Sequence, residues 1–369
     1  MIKVLYDFEA FSMQRYGGIT RYFSELIMRI SGYCDISVLL YMGLNINEYG
    51  LDKKIKTVGL SKKIPFIPKT KFIITKLQKP IFEKFRKKTD YNILHQTYYN
   101  NYITLPNKKK IITVHDFTHE HYPKYFSRLD KTIVNKKKAV FEADAVICIS
   151  NSTKNDLLNF YGNELEKKIK VIYHGNSFEE YLKTNQISKE AKKENFILFV
   201  GERYFYKNFQ VLLDAFCKSE FLRNNFYIKC FGGKPFSRKE MKNFSNLGIL
   251  SKVKYTLGNY LSLGEEYKRA SVLVYPSYYE GFGIPLVEAM SLGTPVIASN
   301  RSSLPEVGED AVLYFSPQNS EELKDRLETL LQDNSLQEKM INKGFERAKY
   351  FSWDKCANET YKLYKEVNG

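Results

Sequence analysis

The sequence predicts an α/β protein of two doubly wound domains, each a parallel sheet whose strands end in glycine-bearing or polar turns. Three observations carry this prediction. Short apolar, β-branched runs alternate with stretches of helical period along the chain, the pattern of successive βαβ units. Several of those runs stop at glycines or at a polar pair, which is where an open α/β sheet receives its ligand. The 369 residues exceed what one core ordinarily serves, and 43% of them are hydrophobic, enough to bury two.

In chain order, Ile2 to Tyr6 reads as the first strand. Tyr16-Gly17-Gly18 then opens a helix whose apolar face holds Ile19, Phe23, Leu26, Ile27 and Ile30. Glycines at that junction let a ligand approach backbone amides, although a plain tight turn explains them equally. Ile36 to Tyr41 is the second strand. From Tyr49 to Lys88, lysines interleave with Phe66, Ile67, Phe72, Ile73, Ile74, Leu77, Ile81, Phe82 and Phe85. Such a stretch either lies on an anionic membrane surface or is a core-packed helix with a solvated basic face. Ile93 to Gln96 is a short strand. Ile111 to Val114 is a clear one and ends at His115-Asp116, a pair placed where ligands sit, with the carboxylate supporting the imidazole. Ala145 to Ile149 follows, with Ser152 or Thr153 capping the next helix, and Lys170 to Tyr173 closes the first half at His174-Gly175. Glu179 to Glu194, polar and without strand pattern, is the expected linker.

Phe196 to Val200 opens the second half and runs into Gly201-Glu202-Arg203, then Lys207-Asn208, where a helix begins. Tyr227 to Phe231 leads to Gly232-Gly233-Lys234, and Lys252 to Leu257 leads to Gly258-Asn259-Tyr260. Val272 to Tyr275 starts the most informative stretch. A turn with Gly281-Phe282-Gly283 follows, and Pro285 takes the first helical position, which tolerates its missing N–H. Leu286, Val287, Ala289, Met290 and Leu292 line the buried side of a helix that Gly293 ends, and Thr294 to Ala298 is the next strand. A helix N-terminus approached through glycines is a ready anion site, and Glu280 and Glu288 bracket it eight residues apart. A nucleotide sugar has that layout of sugar hydroxyls, diphosphate and ribose hydroxyls. Ser302 and Ser303 bind phosphate or cap a helix, the cap being the simpler assignment. Glu321 to Leu331 and Leu336 to Tyr350 are amphipathic helices, and Trp353, Ala357, Tyr361 and Tyr364 share one face of a last helix.

The run PSYYEGFGIPLVEAMSLGTPVIAS resembles the signature segment of glycosyltransferase family 4, the glycosyl-group-1 retaining enzymes. Within that family the chain is most similar to bacterial O-antigen and capsule mannosyltransferases. The resemblance implies the GT-B fold, two Rossmann-like domains facing a cleft with a C-terminal helix crossing back to the N-terminal domain. It places the acceptor domain at 1–180, completed by 352–369, and the nucleotide-sugar domain at 193–351. It puts Glu280 on the donor sugar, Glu288 on the ribose, and Lys207 with the backbone of Gly281, Phe282 and Gly283 on the diphosphate. The GGxxRY and TxHD segments imply that Gly17 and Gly18 face the donor diphosphate or the acceptor, that His115 is a catalytic-cleft residue, and that Tyr16 and Asp116 lie on the acceptor side. Gly258 and Tyr260 fall in loops the family places around the base. The family's usual arginine is Glu202 here, so Arg203 is expected to substitute for it in catalysis, and His174 stands where asparagine is more usual. The implied activity is retaining transfer of a hexose to a carbohydrate, lipid-linked acceptor in surface polysaccharide synthesis. GDP-mannose is the favoured donor and a UDP- or dTDP-sugar the alternative. No cofactor and no metal are implied, since the DxD handle of the other main glycosyltransferase fold is absent.

The formal charge of +16, concentrated between Lys53 and Lys138, fits an anionic partner (a bilayer, a phosphorylated acceptor or nucleic acid) and fits equally a composition drawn from an AT-rich genome that uses Lys, Asn, Tyr and Phe freely. A basic nucleic-acid binder or a non-catalytic partner-binding subunit is the rival class, and it leaves Glu280, Lys207 and Glu288 unexplained. The cysteines, Cys34, Cys148, Cys217, Cys230 and Cys356, are scattered without a disulfide framework. His115, His119 and His121 lack a second group at metal-ligand spacing. MIKVLYDF enters a strand with no export-signal pattern, and no apolar run has the length of a membrane span. The expected location is the cytoplasm, with peripheral attachment to the inner face of the cytoplasmic membrane.

Overall fold

A computed structural model describes residues 1–15, 17–65, 71–184 and 192–369. It forms two compact units, Met1–Gly175 with Trp353–Gly369, and Asn176–Ser352.

Unit 1 is built on six parallel strands: β1 (Ile2–Tyr6), β2 (Ile36–Leu40), β3 (Ile93–Gln96), β4 (Lys109–Val114), β5 (Ala145–Cys148) and β6 (Ile169–Val171). Their order is β2-β1-β3-β4-β5-β6. Strands of a parallel sheet are covered on both faces, so they are apolar throughout rather than alternating. Val4, Leu5, Tyr6, Ile111, Ile112, Val146 and Ile147 are accordingly all buried. Helix α1 (Gly18–Ile30) turns Tyr22, Phe23, Leu26, Ile27 and Ile30 inward, and the closing helix Trp353–Asn368 adds Trp353, Cys356, Ala357, Leu363 and Tyr364 to the same core. Side chains of this size contribute roughly 1.5–3 kcal/mol each when buried. The closing helix is also hydrogen-bonded into the sheet. The Tyr364 hydroxyl lies 2.7 Å from that of Tyr6 and 2.6 Å from His95 Nδ1, and His95 Nε2 lies 2.9 Å from Thr113 Oγ1. Burial pushes the His95 pKa down to about 3, which leaves a neutral ring to donate through one nitrogen and accept through the other.

The basic stretch contains helix α2 (Lys71–Lys88), which buries Gln78, Phe82 and Arg86 on one face and exposes Leu77 and Ile81 on another. Phe66 and Ile67 lie outside the described residues. Two short strands absent from the sequence reading, Gly43–Asn45 and Ser61–Lys63, pair as a small parallel ribbon. The helix Asn151–Tyr161 is capped by Ser150, whose Oγ accepts from the Thr153 amide, and not by Ser152 or Thr153. Among the described residues no helix is long and apolar enough to cross a membrane.

Unit 2 carries a second parallel sheet: β7 (Glu194–Val200), β8 (Tyr227–Phe231), β9 (Val253–Thr256), β10 (Ala270–Tyr275), β11 (Val296–Ser299) and β12 (Leu313–Phe315), in the order β9-β8-β7-β10-β11-β12. The order reverses between β7 and β10, the place where an open parallel sheet receives its ligand. The helices that matter for it are α3 (Phe209–Lys218), α4 (Arg238–Asn246), α5 (Tyr260–Arg269), α6 (Ile284–Ser291) and α7 (Leu304–Gly308). The polar stretch expected as a linker starts with a short helix, Glu179–Lys183, inside unit 2, and the unit boundary falls earlier, between Gly175 and Asn176.

Candidate functional site

Two loops meet at the reversal point of the unit 2 sheet. After β7 the chain turns at Gly201, whose φ of +110° suits glycine alone, and reaches Lys207 and Asn208. After β10 it runs from Pro276 to Gly283. The loops are stitched together by one backbone and one side-chain bond, the Tyr278 amide donating to the Tyr206 carbonyl at 2.7 Å and Asn208 Nδ2 to the Pro276 carbonyl, and Asn208 Nδ2 also donates to the carbonyl of Pro317 after β12. Asn208 holds the left-handed conformation (φ +52°) that asparagine tolerates better than most residues. Its side chain therefore ties loops together and does not cap α3.

On this frame Lys207 Nζ donates to Glu280 Oε1 at 2.6 Å and to the Tyr275 hydroxyl at 3.1 Å. The two charged side chains keep only 17% and 11% of their exposure, so water screens the pair weakly. An ammonium has three N–H groups, so among the described residues one remains for a ligand. Burial raises the Tyr275 phenol well above its ordinary pKa, with the Glu280 charge adding to the effect, so Tyr275 acts as a neutral hydroxyl.

The Glu280 turn is clamped from the loop after β11. The Glu280 amide donates to Ser302 Oγ at 2.9 Å, and Ser303 Oγ lies 2.9 Å from the carbonyls of both Glu280 and Phe282. Ser303, at the cap position of α7, makes no side-chain cap bond. The expectation of a capping serine is thus replaced by a brace on the turn. Gly283 sits at φ +100°, and a Cβ there would stand 2.7 Å from Leu304 Cδ2, so the residue before α6 must be glycine. Helix α6 starts at Ile284 with Pro285 second, and its cap residue, Gly283, makes no side-chain cap bond. The Phe282 ring is buried edge-on against Phe351, which leaves only its backbone near the turn.

Glu288 lies one turn along α6 and is 2% exposed. Its Oε1 accepts from the Tyr260 hydroxyl at 2.8 Å and its Oε2 from Tyr267 at 3.0 Å. Tyr260 is stacked flat on Phe178, with ring centroids 4.1 Å apart. Tyr260 therefore reaches the site through Glu288. Gly258 packs against Ser262, whose Oγ a Cβ would strike.

Arg203 departs from its expected role. Its guanidinium donates to Glu240 Oε1 at 2.8 Å and to the carbonyls of Gly232 and Lys234, with its face over Phe236 and Tyr255. At 4% side-chain exposure it pins the turn after β8 to the start of α4.

In unit 1, His115 follows β4 and is 5% exposed. Its amide donates to the Tyr99 hydroxyl, Tyr22 and Phe23 meet its ring edge-on, and its buried Nε2 has no hydrogen-bond partner among the described residues. Burial lowers its pKa to about 4, so the ring is neutral near pH 7. Asp116 does not hold that ring. Its Oδ1 accepts from the Thr118 amide, while Lys136, wholly buried, donates to the Asp116 carbonyl and to Glu120. His174 stacks on Tyr22 and Trp353, buried with its pKa lowered. Gly17 is extended at φ 177° and precedes α1, which Gly18 begins; its amide donates to the Tyr49 hydroxyl. Tyr16 lies outside the described residues.

Sequence reasoning passed over Asp7, which closes β1 where that sheet's own order reverses, next to β3. It is fully buried, and its Oδ1 accepts from the amides of Glu9 and Thr97 and from the Thr97 hydroxyl. The available signal was an acidic residue directly after an apolar strand, the same signal that singled out His115. Among the described residues no group of three or more His, Cys, Asp or Glu side chains is gathered as a metal site requires.

Residues 16–179 match the family model "Glycosyltransferase Family 4" and residues 180–347 the model "Glycosyl transferases group 1". The O-antigen chain mannosyltransferase B of Escherichia coli is 46% identical over 99 residues, 27% of this chain and 26% of that protein. The O-antigen chain mannosyltransferase RfbU of Salmonella typhimurium is 29% identical over 61% of this chain and 62% of its own length. The matched stretches thus span less than two thirds of either relative. Among solved structures, sucrose-phosphate synthase from Thermosynechococcus elongatus superposes over 100% of this chain and 99% of its own with TM-score 0.75 at 20% identity. Anabaena Alr3699/HepE in complex with UDP and glucose superposes over 98% and 99% with TM-score 0.73 at 16% identity.

Proposed function

The chain belongs to the group 1 and family 4 glycosyltransferases and has the GT-B fold, and on that premise we propose that it moves a hexose from a nucleotide sugar to a carbohydrate acceptor. The observation that carries the reading is the Lys207–Glu280 pair at the reversal point of the unit 2 sheet, beside the glycine-led start of α6. In the reaction the bond from the sugar's anomeric carbon to the diphosphate oxygen breaks and a bond to an acceptor hydroxyl oxygen forms. The hydroxyl proton ends on the released diphosphate or in solvent. Negative charge grows on the diphosphate as the first bond breaks. A cation and amides already aimed at that position lower the barrier because they need no reorganisation. Lys207 and the turn 281–283 supply those groups, Glu280 orients the sugar through its hydroxyls, and Glu288, braced by two tyrosines, takes the ribose. No metal or cofactor is required in this scheme, and the transfer retains anomeric configuration. Mannose from GDP-mannose is the proposed donor, supported by the two O-antigen mannosyltransferases among the relatives, and the acceptor is a lipid-linked glycan. Attachment to an anionic membrane through the exposed side of α2 completes the proposal.

Calorimetric titration with GDP, UDP, dTDP and their sugars tests it. One nucleotide should bind, and Lys207→Ala should weaken it about ten- to a hundredfold, the worth of a charge-assisted hydrogen bond. The intact nucleotide sugar should bind more tightly than the bare nucleotide, and Glu280→Ala should erase that gain. Failure of every nucleotide to bind would end this reading.

A further inference from the structure

The turn that presents Glu280 is shaped by the segment 301–304. Ser302 is held at φ +51°, the left-handed region that a side chain other than Asn or Asp enters at a cost. A glycine there would remove that cost. What serine adds is a hydroxyl, and its bond is to the Glu280 amide at 2.9 Å. Ser303 is fully buried and shares its single proton between the carbonyls of Glu280 and Phe282. The peptide units on both sides of Glu280 are therefore fixed by two side chains from another loop, while the carboxylate is drawn to Lys207 at 2.6 Å. Helix α7, which these serines precede, receives no cap from Ser303.

We propose that Ser302 and Ser303 are positioning residues for Glu280: they set the direction in which its carboxylate leaves the turn, toward Lys207 and the sugar hydroxyls. The part that concerns the sugar rests on the function proposed above. Ser302→Gly separates positioning from mere support, because the two roles move observables in opposite directions. Relief of the backbone strain keeps or raises the melting temperature, whereas loss of the hydroxyl frees the Glu280 turn. The expected result is a Tm equal to or above that of the parent, nucleoside diphosphate affinity within about twofold, and at least a tenfold loss of kcat and of the affinity gained from the sugar. Ser303→Ala should lose the same gain, with a lower Tm. A Ser302→Gly protein that keeps kcat and the sugar's contribution within twofold overturns the proposal. A ligand-free readout decides the matter if the parent binds no nucleotide sugar. The coupling of Lys207→Met with Glu280→Gln in a double-mutant cycle of melting temperatures should shrink in the Ser302→Gly background, and an unchanged coupling also overturns it.

Discussion

Asp7 shows what a single residue can cost a fold at neutral pH. Burial raises its pKa to about 6, against an ordinary value of 3.8, even though Thr97 and Glu9 donate hydrogen bonds to it. Between those values the folded chain keeps a proton that the unfolded chain has released. Stability contributed by this residue is therefore full below pH 4 and is lost as pH rises through 6. Asp7→Asn keeps an acceptor for the same donors and removes the buried charge. It should stabilise unit 1 at pH 7.5 by on the order of 2 kcal/mol and flatten the slope between pH 4 and 6, as read from denaturant melts across that range. Legibility at this scale follows the distance between partners. Lys207, Glu280 and the Gly281–Gly283 turn were singled out because each lies in a short segment whose own residues carry the motif or the family resemblance. The pairing of Arg203 was not readable, because its carboxylate partner, Glu240, lies 37 residues away on α4. The brace from Ser302 and Ser303 was missed for a like reason, since a serine before a helix looks locally like a cap.

At the scale of elements, α2 shows two distinct sides. Phe82, Gln78 and Arg86 pack inward, and Arg86 donates to the Ile103 carbonyl and to Glu83. Leu77 and Ile81 stand 62% and 51% exposed, one turn apart, on a helix that also carries Lys76, Lys84, Lys87 and Lys88 outward. The core-helix reading of this stretch describes its inward side, and the membrane-facing reading, part of the proposed function, draws on its outward side. The protein should sediment with vesicles containing anionic lipid, less so as salt rises, and hardly with neutral ones. Leu77→Glu with Ile81→Glu should abolish most of that binding and leave the fold intact; no sedimentation of the parent protein would remove α2 from the proposed function. Most strands were legible within two residues because apolar runs between turns are a strong local signal. β12, three residues long with one fully buried side chain, carried too little pattern to be seen.

At the scale of the whole molecule, unit 1 is discontinuous in sequence and unit 2 is not. The closing helix gives unit 1 Trp353, Leu363 and Tyr364, and its Tyr364 hydroxyl is the link between Tyr6 and His95. Removing 353–369 should leave unit 2 melting as before and lower the melting transition of unit 1 sharply. Loss of Trp353 alone is worth about 3–5 kcal/mol and stranded buried polar groups about 1–3 kcal/mol each. Differential scanning calorimetry with unit-specific proteolysis reads both. If both transitions survive unchanged, the helix is an ornament.

The same discontinuity sets an order of events on the ribosome. Chains usually fold from the N-terminal domain onward as they emerge. Here the first 175 residues appear with the slot for Trp353 and Tyr364 still empty, and the whole of 176–352 must be translated before anything can fill it. At ordinary elongation rates that wait lasts roughly 10 to 35 s. The nascent sheet of unit 1 must spend that time with an apolar groove open to water, a natural client for a holding chaperone, while the later-made unit 2 is the first to be complete.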